Sequence, residues 1–473
     1  MKYDVLVIGS GTAGCYFARK MAEQGYRVCV ADAAPARSLG RRLELFHIDK
    51  DTFGPLGVPM PRPGDDDYIS EFAAGTYYPP DGQYMKRDDG TEKIVYAEYP
   101  FLVCRLPRFI RRLRAWCAEA GVEFLDEAAF VDLVYCEHGV RGAKLLQGGE
   151  EKTVYARLVA DCSGLQAVAR RRLRKPTPVE DFEVRRGDLM HVLLHYVKLA
   201  HPERDAPRRA EHWAYYKGWI AQAPHPGEAV VGVGADTSFA YAELCMRRFK
   251  EAVAMPEGEV AREQRGVVPY HRAPYSLVDD GFVVLGDAAC MNKWIGEGIT
   301  SGWVGCRWAA EVAGLAMRGG AYPTRAALWP FNVQYNTTQA ANFAYIVATS
   351  VNAVDCSAAE MQYEFERGIV FNDKAMTRLN RDWNAEMPPD EALALAAKVA
   401  GGVVTGHIRP RTVRYLLKGI ACATLLKAHY QKFPLNPAGY GRWAARCDAL
   451  WKACGTLSEA TQRCEERMRE GLQ

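Results

Sequence analysis

The fold is decided by residues 5–14, Val5-Leu6-Val7-Ile8-Gly9-Ser10-Gly11-Thr12-Ala13-Gly14. The four apolar residues predict a parallel strand that is buried on both faces, and the glycines match the G-x-G-x-x-G pattern that opens a helix. In that pattern Gly9 permits a tight turn, Gly11 lets the backbone approach a pyrophosphate, and Gly14 lets the helix pack closely. The N–H groups around Thr12 and Ala13, at the helix start, favour negative phosphates.

The segment after this turn completes a nucleotide-binding unit. A helical stretch runs to Gln24, and a second apolar strand at residues 27–31 ends on Asp32. The Asp32 carboxylate can accept hydrogen bonds from a ribose hydroxyl. The order of strand, turn, helix, strand and acid predicts a dinucleotide-binding site. A glycine-rich turn in another α/β fold would leave Asp32 to chance and would not explain the second motif.

The second motif lies much further along the chain. Residues 282–285 predict a buried strand that leads into Gly286 and Asp287, and after a short loop a helix rich in small residues opens with Gly296-Glu297-Gly298-Ile299. An acid at the end of a strand can bind ribityl or ribose hydroxyls. A glycine-rich helix start presents N–H groups and a positive dipole end to a flavin ring, and Glu297 is expected to support that helix start. NAD enzymes do not need this second site, so the two motifs together predict FAD.

Composition excludes several classes of protein. A chain of 473 residues suggests two or three packed domains, and a formal net charge of +3 argues against a nucleic-acid partner. The 14 cysteines are scattered without a C-x-x-C pair, so neither a zinc site nor an iron–sulfur cluster is predicted. Free thiols and the absence of a signal peptide before the first strand favour the cytoplasm.

Two apolar stretches bear on membrane contact. Residues 326–354 carry no charge but contain Asn, Gln and Thr throughout, which predicts a buried helix or a pocket wall. Residues 415–433 are amphipathic and are interrupted by Lys418 and Lys427; core packing is favoured, and a peripheral membrane contact is the alternative. Neither stretch is long and apolar enough to span a bilayer.

At this point the chain resembles the geranylgeranyl reductase family, together with FixC-type dehydrogenases and, more distantly, para-hydroxybenzoate hydroxylase-like monooxygenases. The resemblance covers residues 1–325 and is carried by residues 281–289 and the Gly296–Ile299 run. Residues 158–164, with Asp161 and Gly164, are similar to the family's D-x-x-G segment. Arg105 stands where the family carries an arginine near the cofactor. The resemblance implies that these three residues help to bind FAD.

The same resemblance suggests walls for a substrate pocket. Tyr216 and the run Gly218-Trp219-Ile220 look like a loosened form of the family's Y-x-W-x-F-P segment. In the loop before Gly296, Lys293 and Trp294 stand where the family usually has proline and leucine, and they are expected to reshape the pocket. We therefore expect Tyr216, Trp219 and Trp294 to line it. The flavin-adjacent cysteine of many family members falls at Leu45, which argues against cysteine-dependent chemistry.

In the expected reaction, hydride passes between N5 of FAD and a carbon of the substrate, and the protein supplies position and any proton. His47 and Glu44 are the candidate proton donors because both lie in the segment that aligns with the family's flavin-adjacent loop. A hydrogen-bonded structural histidine is the alternative for His47.

The domain organisation follows from these motifs. We expect an α/β protein with a discontinuous Rossmann-like FAD-binding domain at 1–65, 95–178 and 265–325. A mixed or antiparallel β-sheet substrate domain is expected at 66–94 and 179–264, with 66–94 as an irregular excursion beside the pocket. Residues 326–473 are predicted to form a helical C-terminal region. That region could close the pocket, form a homodimer contact or touch a membrane.

Three functions are open at this stage. A reductase or dehydrogenase acting on a small hydrophobic, isoprenoid or quinone-like substrate is favoured by the Gly296–Ile299 run. A monooxygenase or halogenase is less favoured because hydroxylases usually place Asn after the glycine pair, where Ile299 and Thr300 stand here. A prenyl-binding chaperone without flavin is disfavoured by the intact glycine and aspartate set. The electron donor is expected to be NAD(P)H or a ferredoxin-type protein.

Overall fold

The computed structural model describes residues 2–72, 75–78, 95–97, 100–202, 210–213, 216–253, 255–292, 298–353, 356–369, 372–383 and 386–455, and also 462–463, 465–466 and 469. Its strands are β1 Lys2–Ile8, β2 Val28–Ala31, β3 Leu45–Asp49, β4 Tyr68–Phe72, β5 Gly75–Tyr78, β6 Val95–Ala97, β7 Phe101–Arg105, β8 Glu123–Leu125, β9 Ala128–Cys136, β10 Gly139–Gln147, β11 Glu150–Asp161, β12 Leu189–Leu199, β13 Ala210–Trp213, β14 Lys217–Gln222, β15 Glu228–Asp236, β16 Gly258–Pro269, β17 Val278–Asp279 and β18 Phe282–Val284. Its helices are α1 Thr12–Ala22, α2 Phe53–Leu56, α3 Leu106–Glu119, α4 Phe239–Ala252, α5 Gly298–Ala316, α6 Arg325–Tyr335, α7 Ala341–Ala353, α8 Ala358–Glu366, α9 Asp373–Asp382, α10 Pro389–Val404, α11 Pro410–Tyr430 and α12 Tyr440–Cys454.

The first sheet carries the nucleotide-binding unit. Its path is β17-β18-β11-β1-β2-β8, and the pairs from β18 to β8 are parallel. Val5, Leu6 and Val7 are fully buried, so neither face of β1 meets water, and α1 packs against β1 and β2. Parallel pairing aligns the carboxyl ends of β1, β2, β11 and β18, so the loops that follow them meet at one edge.

A second sheet packs beside the first domain. Its order is β16-β12-β15-β14-β13-β5-β6, and the five strands from β16 to β13 are paired antiparallel. The helix α4 covers one face, where Val231, Val233 and Phe249 share a buried cluster. The other face carries Met190, Val192 and Leu194 toward Leu43 and Leu45 of the first domain. A third, three-stranded sheet pairs β3, β7 and β4.

The segment at 66–94 differs from the expected irregular excursion. Its described parts include β4, which pairs with β7, and β5, which joins the second sheet. The strand β6, at residues 95–97, pairs with β5 and so extends the second sheet across the expected boundary at residue 95. Backbone hydrogen bonding across sheet edges decides these placements, and composition alone does not report it.

The C-terminal region is helical, as predicted. Within the uncharged stretch at 326–354, Asn332 and Asn336 use their amides to bind the backbone of residues 275–277, at 2.8–3.0 Å. The buried polar residues therefore fasten α6 to the nucleotide-binding domain. Farther on, α11 packs along α7 and α12. The fold expected from the sequence is confirmed: a Rossmann-like α/β domain, an inserted largely antiparallel sheet and a helical C-terminal region. Among the described helices, none is both long enough and apolar enough to cross a membrane.

Candidate functional site

In the turn between β1 and α1, two of the three glycines stand where a side chain would overlap neighbouring backbone atoms. Gly9 has φ +103°, and a Cβ there would lie 2.3 Å from the carbonyl oxygen of Cys162. A Cβ at Gly14 would lie 2.0 Å from the carbonyl oxygen of Gly9. Gly11 is different, because no atom lies within 4 Å of its ideal Cβ position. The space above Gly11 therefore opens into the cavity described below, where a phosphate can approach the backbone.

Asp32 stands at the end of β2 beside this turn. Its Oδ2 accepts hydrogen bonds from the backbone N–H and the hydroxyl of Ser10, at 2.7 and 2.9 Å, and its Oδ1 accepts from the N–H of Ala34 at 2.9 Å. The carboxylate is only partly buried. Its orientation is set by the protein, and its oxygens retain lone pairs that can accept further hydrogen bonds.

The two glycine motifs meet in space. Gly286, with φ +61°, approaches so closely that a Cβ on it would lie 2.6 Å from the Cβ of Ala13. The turn after β1 and the turn after β18 therefore form one continuous surface. Gly298 packs in turn against Asp287, with 3.2 Å between its ideal Cβ and an oxygen of Asp287.

These loops open on one large cavity, which we call the main cavity, of about 690 Å³. Its lining combines both motifs, the loop after β11, the 38–48 segment, and the second sheet: Gly11, Thr12, Ala13, Cys162, Gly164, Gly286, Asp287, Gly298, Ile299, Leu43, Leu45, His47, Met190, Val192, Leu194, Lys217, Trp219, Gly266, Val267 and Val268 are among its residues. The glycine-lined side fits an extended dinucleotide. The open space above Gly11 and the paired helix starts of α1 and α5 are the observations that support this fit.

The two acids expected at the cofactor have different surroundings. Asp161 is fully buried and accepts four hydrogen bonds at 2.6–3.0 Å, from the N–H and hydroxyl of Ser163 and from the N–H groups of Ala169 and Arg170. Burial raises its pKa, and these donors oppose that rise. Asp161 thus shapes the loop whose residues Cys162 and Gly164 reach the cavity. Asp287 lines the cavity itself, and desolvation raises its pKa.

The structure separates the two candidate proton donors. His47 lies on β3 and lines the main cavity, with its ring edge-on to Phe101 at a centroid distance of 6.2 Å. Glu44 lines a smaller neighbouring cavity and forms an ion pair with Arg262 of β16. Of these two residues, His47 is the one that lines the main cavity.

The pocket wall from the second sheet also differs from the expected set. Tyr216 is buried on the α4 side, edge-on to Phe249 at 6.4 Å, and does not line the main cavity. Residues alternate across a strand, so Lys217 and Trp219 face the cavity instead. The indole of Trp219 lies over Gly232, where a Cβ would come within 2.2 Å of the ring.

Lys217 is one of the cavity residues that the sequence motifs did not indicate. Its side chain is buried and lines a cavity whose walls are mostly apolar. The available signal was the two-residue period of β14, which puts Lys217 on the same face as Trp219.

The remaining expected residues divide into two groups. The Arg105 guanidinium donates to the carbonyl oxygens of Asp66 and Pro224 and lines the smaller cavity rather than the main one. Trp294, Gly296 and Glu297 lie outside the described residues. Across the described parts of the chain, no group of three or more His, Cys, Asp or Glu side chains could hold a metal ion.

Comparisons with known proteins bear on this arrangement. Residues 4–40 match the FAD binding domain family. The chain is 24% identical over 468 residues to the digeranylgeranylglycerophospholipid reductase of Sulfolobus acidocaldarius. The alignment covers 95% of this chain and 97% of that protein. It is 26% identical over 330 residues to the protein of the same name from Methanothrix thermoacetophila, and the alignment covers 68% of this chain and 80% of that protein.

Solved structures share the fold. A geranylgeranyl bacteriochlorophyll reductase-like protein from Thermoplasma acidophilum has a TM-score of 0.62 at 17% identity, covering 86% of this chain and 98% of that one. A probable FAD-dependent monooxygenase from Pseudomonas aeruginosa has a TM-score of 0.56 at 18% identity, and the alignment covers 73% of this chain and 94% of that one. A flavin-dependent brominase has a TM-score of 0.53 at 17% identity, and the alignment covers 84% of this chain and 94% of that one. The resemblance to geranylgeranyl reductases and the expectation of FAD are confirmed, and the chain is similar to FAD-dependent oxidoreductases along most of its length.

Proposed function

We propose that this protein is an FAD-dependent reductase that transfers hydride to a hydrophobic, isoprenoid-like substrate. The observation that carries the proposal is the composition of the main cavity. One side is built from the glycine motifs, and the other is an apolar wall from β12, β14 and β16 with Met190, Val192, Leu194 and Val268. The relatives named digeranylgeranylglycerophospholipid reductase support an isoprenoid as the substrate class.

We assign the cofactor to the glycine-lined side. The N–H groups around Gly11 and the start of α1 would hold the pyrophosphate, Asp32 a ribose, and Asp287 with the start of α5 the flavin end. Bound there, FAD supplies the hydride-transfer chemistry.

The substrate side of the cavity excludes water and positions the chain to be reduced. Its aliphatic residues and Trp219 offer apolar contacts that a hydrocarbon chain gains by leaving water. Saturation of a double bond consumes one hydride and one proton, so a proton donor must face the acceptor carbon. His47 and Lys217 both line the cavity, from β3 and β14, and we assign the proton to this pair.

The purified protein, reduced anaerobically, provides the test. We expect the flavin absorbance near 450 nm to return when a polyprenyl substrate is added, and the product to be heavier by about 2 Da for each saturated bond. Without that substrate, the absorbance should return only slowly in air. NADPH and a reduced ferredoxin are supplied in parallel arms to identify the donor. Rapid reoxidation by oxygen with incorporation of oxygen or halide into an aromatic compound would instead establish a monooxygenase or halogenase. A protein that takes up no flavin would refute the proposal.

We also propose that α11 contacts an anionic membrane surface, where long isoprenoid substrates reside. Its outer face carries Leu417 and Leu425, which are 62% and 59% exposed. Arg411, Arg414 and Lys418 are exposed on its first half, and the helix contains no Asp or Glu. An apolar face with cations and without acids complements anionic lipid head groups. Buried Gly419, Ala423 and Leu426 hold the opposite face against the protein.

A further inference from the structure

The smaller cavity has a composition that the proposed reaction does not use. It measures about 560 Å³ and is lined by five arginines, Arg37, Arg41, Arg105, Arg108 and Arg111. We call it the arginine cavity. Arg41 also lines the main cavity, so the two spaces adjoin.

The positive charge of the arginine cavity is poorly compensated. Glu44 is the single acid of its lining, and it is already paired with Arg262. Arg108 has an exposed partner, Asp66, at 3.3 Å. Arg37, Arg41 and Arg111 are exposed and form no ion pair with any other described residue. Guanidinium groups that share a concave site repel one another unless an anion binds between them.

A helix start adds to the same potential. The 14-residue helix α3 begins at Leu106, and three residues at its start, Arg105, Pro107 and Arg108, line the cavity. Arg105 at the N-cap provides no side-chain cap, and the first turn contains no acid. The N–H of Leu106 donates to the carbonyl oxygen of Glu44 and Pro107 has no N–H, but no acidic side chain of the first turn offsets the positive end of the helix dipole. Phosphate oxygens suit both this helix end and the planar, bidentate guanidinium groups.

We propose that the arginine cavity binds the phosphate group of a ligand that extends toward the main cavity. The inference rests on the proposed function, because that function assigns FAD and a hydrophobic chain to the main cavity. Two ligands share the required chemistry: an isoprenoid substrate with a phosphate end, and a nicotinamide dinucleotide that donates electrons. Because Arg41 lines both cavities, a ligand whose phosphate binds in the arginine cavity has its other end directed toward the main cavity in this proposal.

The test is equilibrium binding to the flavin-loaded protein, measured by calorimetry without turnover. The variant Arg37→Gln/Arg111→Gln removes two uncompensated charges and leaves Arg41 in place. The control Arg442→Gln/Arg446→Gln removes the same charge from exposed arginines on α12. The probes are geranylgeranyl diphosphate, geranylgeraniol, NADP⁺ and NAD⁺, and flavin content is measured by absorbance for every variant.

We expect the cavity variant to bind a phosphate ligand about 10- to 100-fold more weakly, as lost charged hydrogen bonds predict, with the control unchanged. If the cavity variant loses affinity for geranylgeranyl diphosphate but not for geranylgeraniol, the substrate is the source of the phosphate. Loss for NADP⁺ more than for NAD⁺ identifies the electron donor. Unchanged affinity for every probe would overturn the proposal, and so would loss of flavin, because the arginines would then belong to the FAD site. Binding is measured apart from catalysis, so this proposal can fail while the reductase function stands.

Discussion

The backbone N–H and the hydroxyl of Ser10 both donate to the same carboxylate oxygen of Asp32, at 2.7 and 2.9 Å. The acid at the end of β2 is thereby tied to the turn that follows β1. This arrangement fixes the direction of the carboxylate before any ligand arrives, which lowers the entropy that binding must lose.

Replacing Asp32 separates this structural role from ribose binding. We expect Asp32→Ala to weaken FAD binding by about 10- to 100-fold, because it removes the ribose acceptor and leaves Ser10 without its partner. Ser10→Ala loses only one of the two hydrogen bonds and should weaken binding by about fivefold or less. Titration of apoprotein with FAD, followed by flavin fluorescence, measures both. Equal losses in the two variants would mean that Asp32 only orders the turn.

Gly11 tests the assignment of the pyrophosphate. Gly11 has ordinary backbone angles, φ −72° and ψ −169°, and its ideal Cβ would meet no protein atom within 4 Å, so Gly11→Ala should fold normally. We expect it to bind FAD at least about tenfold more weakly, because the methyl group enters the space assigned to the phosphates. Gly54→Ala in α2 is a matched control, since its Cβ also has open space. Normal flavin content in Gly11→Ala would place the pyrophosphate elsewhere.

Lys217 is expected to contribute to proton delivery. We predict that Lys217→Met retains the flavin spectrum and lowers kcat for substrate reduction about 100-fold, the usual scale of general-acid catalysis. Lys217→Arg keeps the positive charge but replaces the amine with a guanidinium that does not release its proton, so it should recover little of the rate. Lys198→Met, on the exposed side of β12, serves as the control. An unchanged kcat for Lys217→Met together with a large loss for His47→Gln would assign the proton to His47 alone.

Glu364 predicts a pH dependence of stability. It is 4% exposed on α8, and burial raises the pKa of its carboxyl from 4.5 to about 7. The folded state therefore binds the proton more tightly than the unfolded state. As the pH rises from 4.5 to 7, this group lowers the free energy of unfolding by on the order of 3 kcal/mol, and above 7 the loss is complete.

The variant Glu364→Gln should lose this dependence. We expect it to be more stable than the parent at pH 8 and to lose that advantage toward pH 4.5, in urea unfolding at a series of pH values. Glu119→Gln, on the exposed surface of α3, should leave the free energy of unfolding of the parent unchanged at every pH of the series. A constant difference between Glu364→Gln and the parent across the series would show that Glu364 titrates normally.

The exposed face of α11 predicts membrane binding. We expect the protein to co-sediment with vesicles that contain anionic phospholipid, and less so as salt is raised. Leu417→Glu/Leu425→Glu should reduce binding by at least about tenfold, because burying each leucine is worth roughly 1.5–3 kcal/mol. Leu146→Glu, at an exposed leucine on β10, is the control. Equal binding by the parent and the double variant would remove α11 from the contact.

The nucleotide-binding unit could be predicted because its determinants are local. Gly9 and Gly14 are needed because a Cβ on either would overlap backbone atoms, whereas Gly11 leaves open space, and the parallel strands appear as apolar runs because both faces are buried. The buried amides of residues 326–354 were likewise indicated by polar residues that recur in an uncharged segment. The amphipathic pattern of α11 was visible in the same way.

Amino-acid order by itself determined the glycine turns, the buried strands and the acids at their ends, because each follows from backbone space and hydrophobic periodicity over short distances. Tertiary structure alone decided that Lys217 faces the main cavity while Tyr216 does not, and that Glu44 pairs with Arg262 beside five arginines. A strand has two faces, and which one meets a cavity depends on the element packed against the other, here α4. The two-residue period groups Lys217 with Trp219 on one face, but contacts between residues far apart in the chain decide which face meets a cavity.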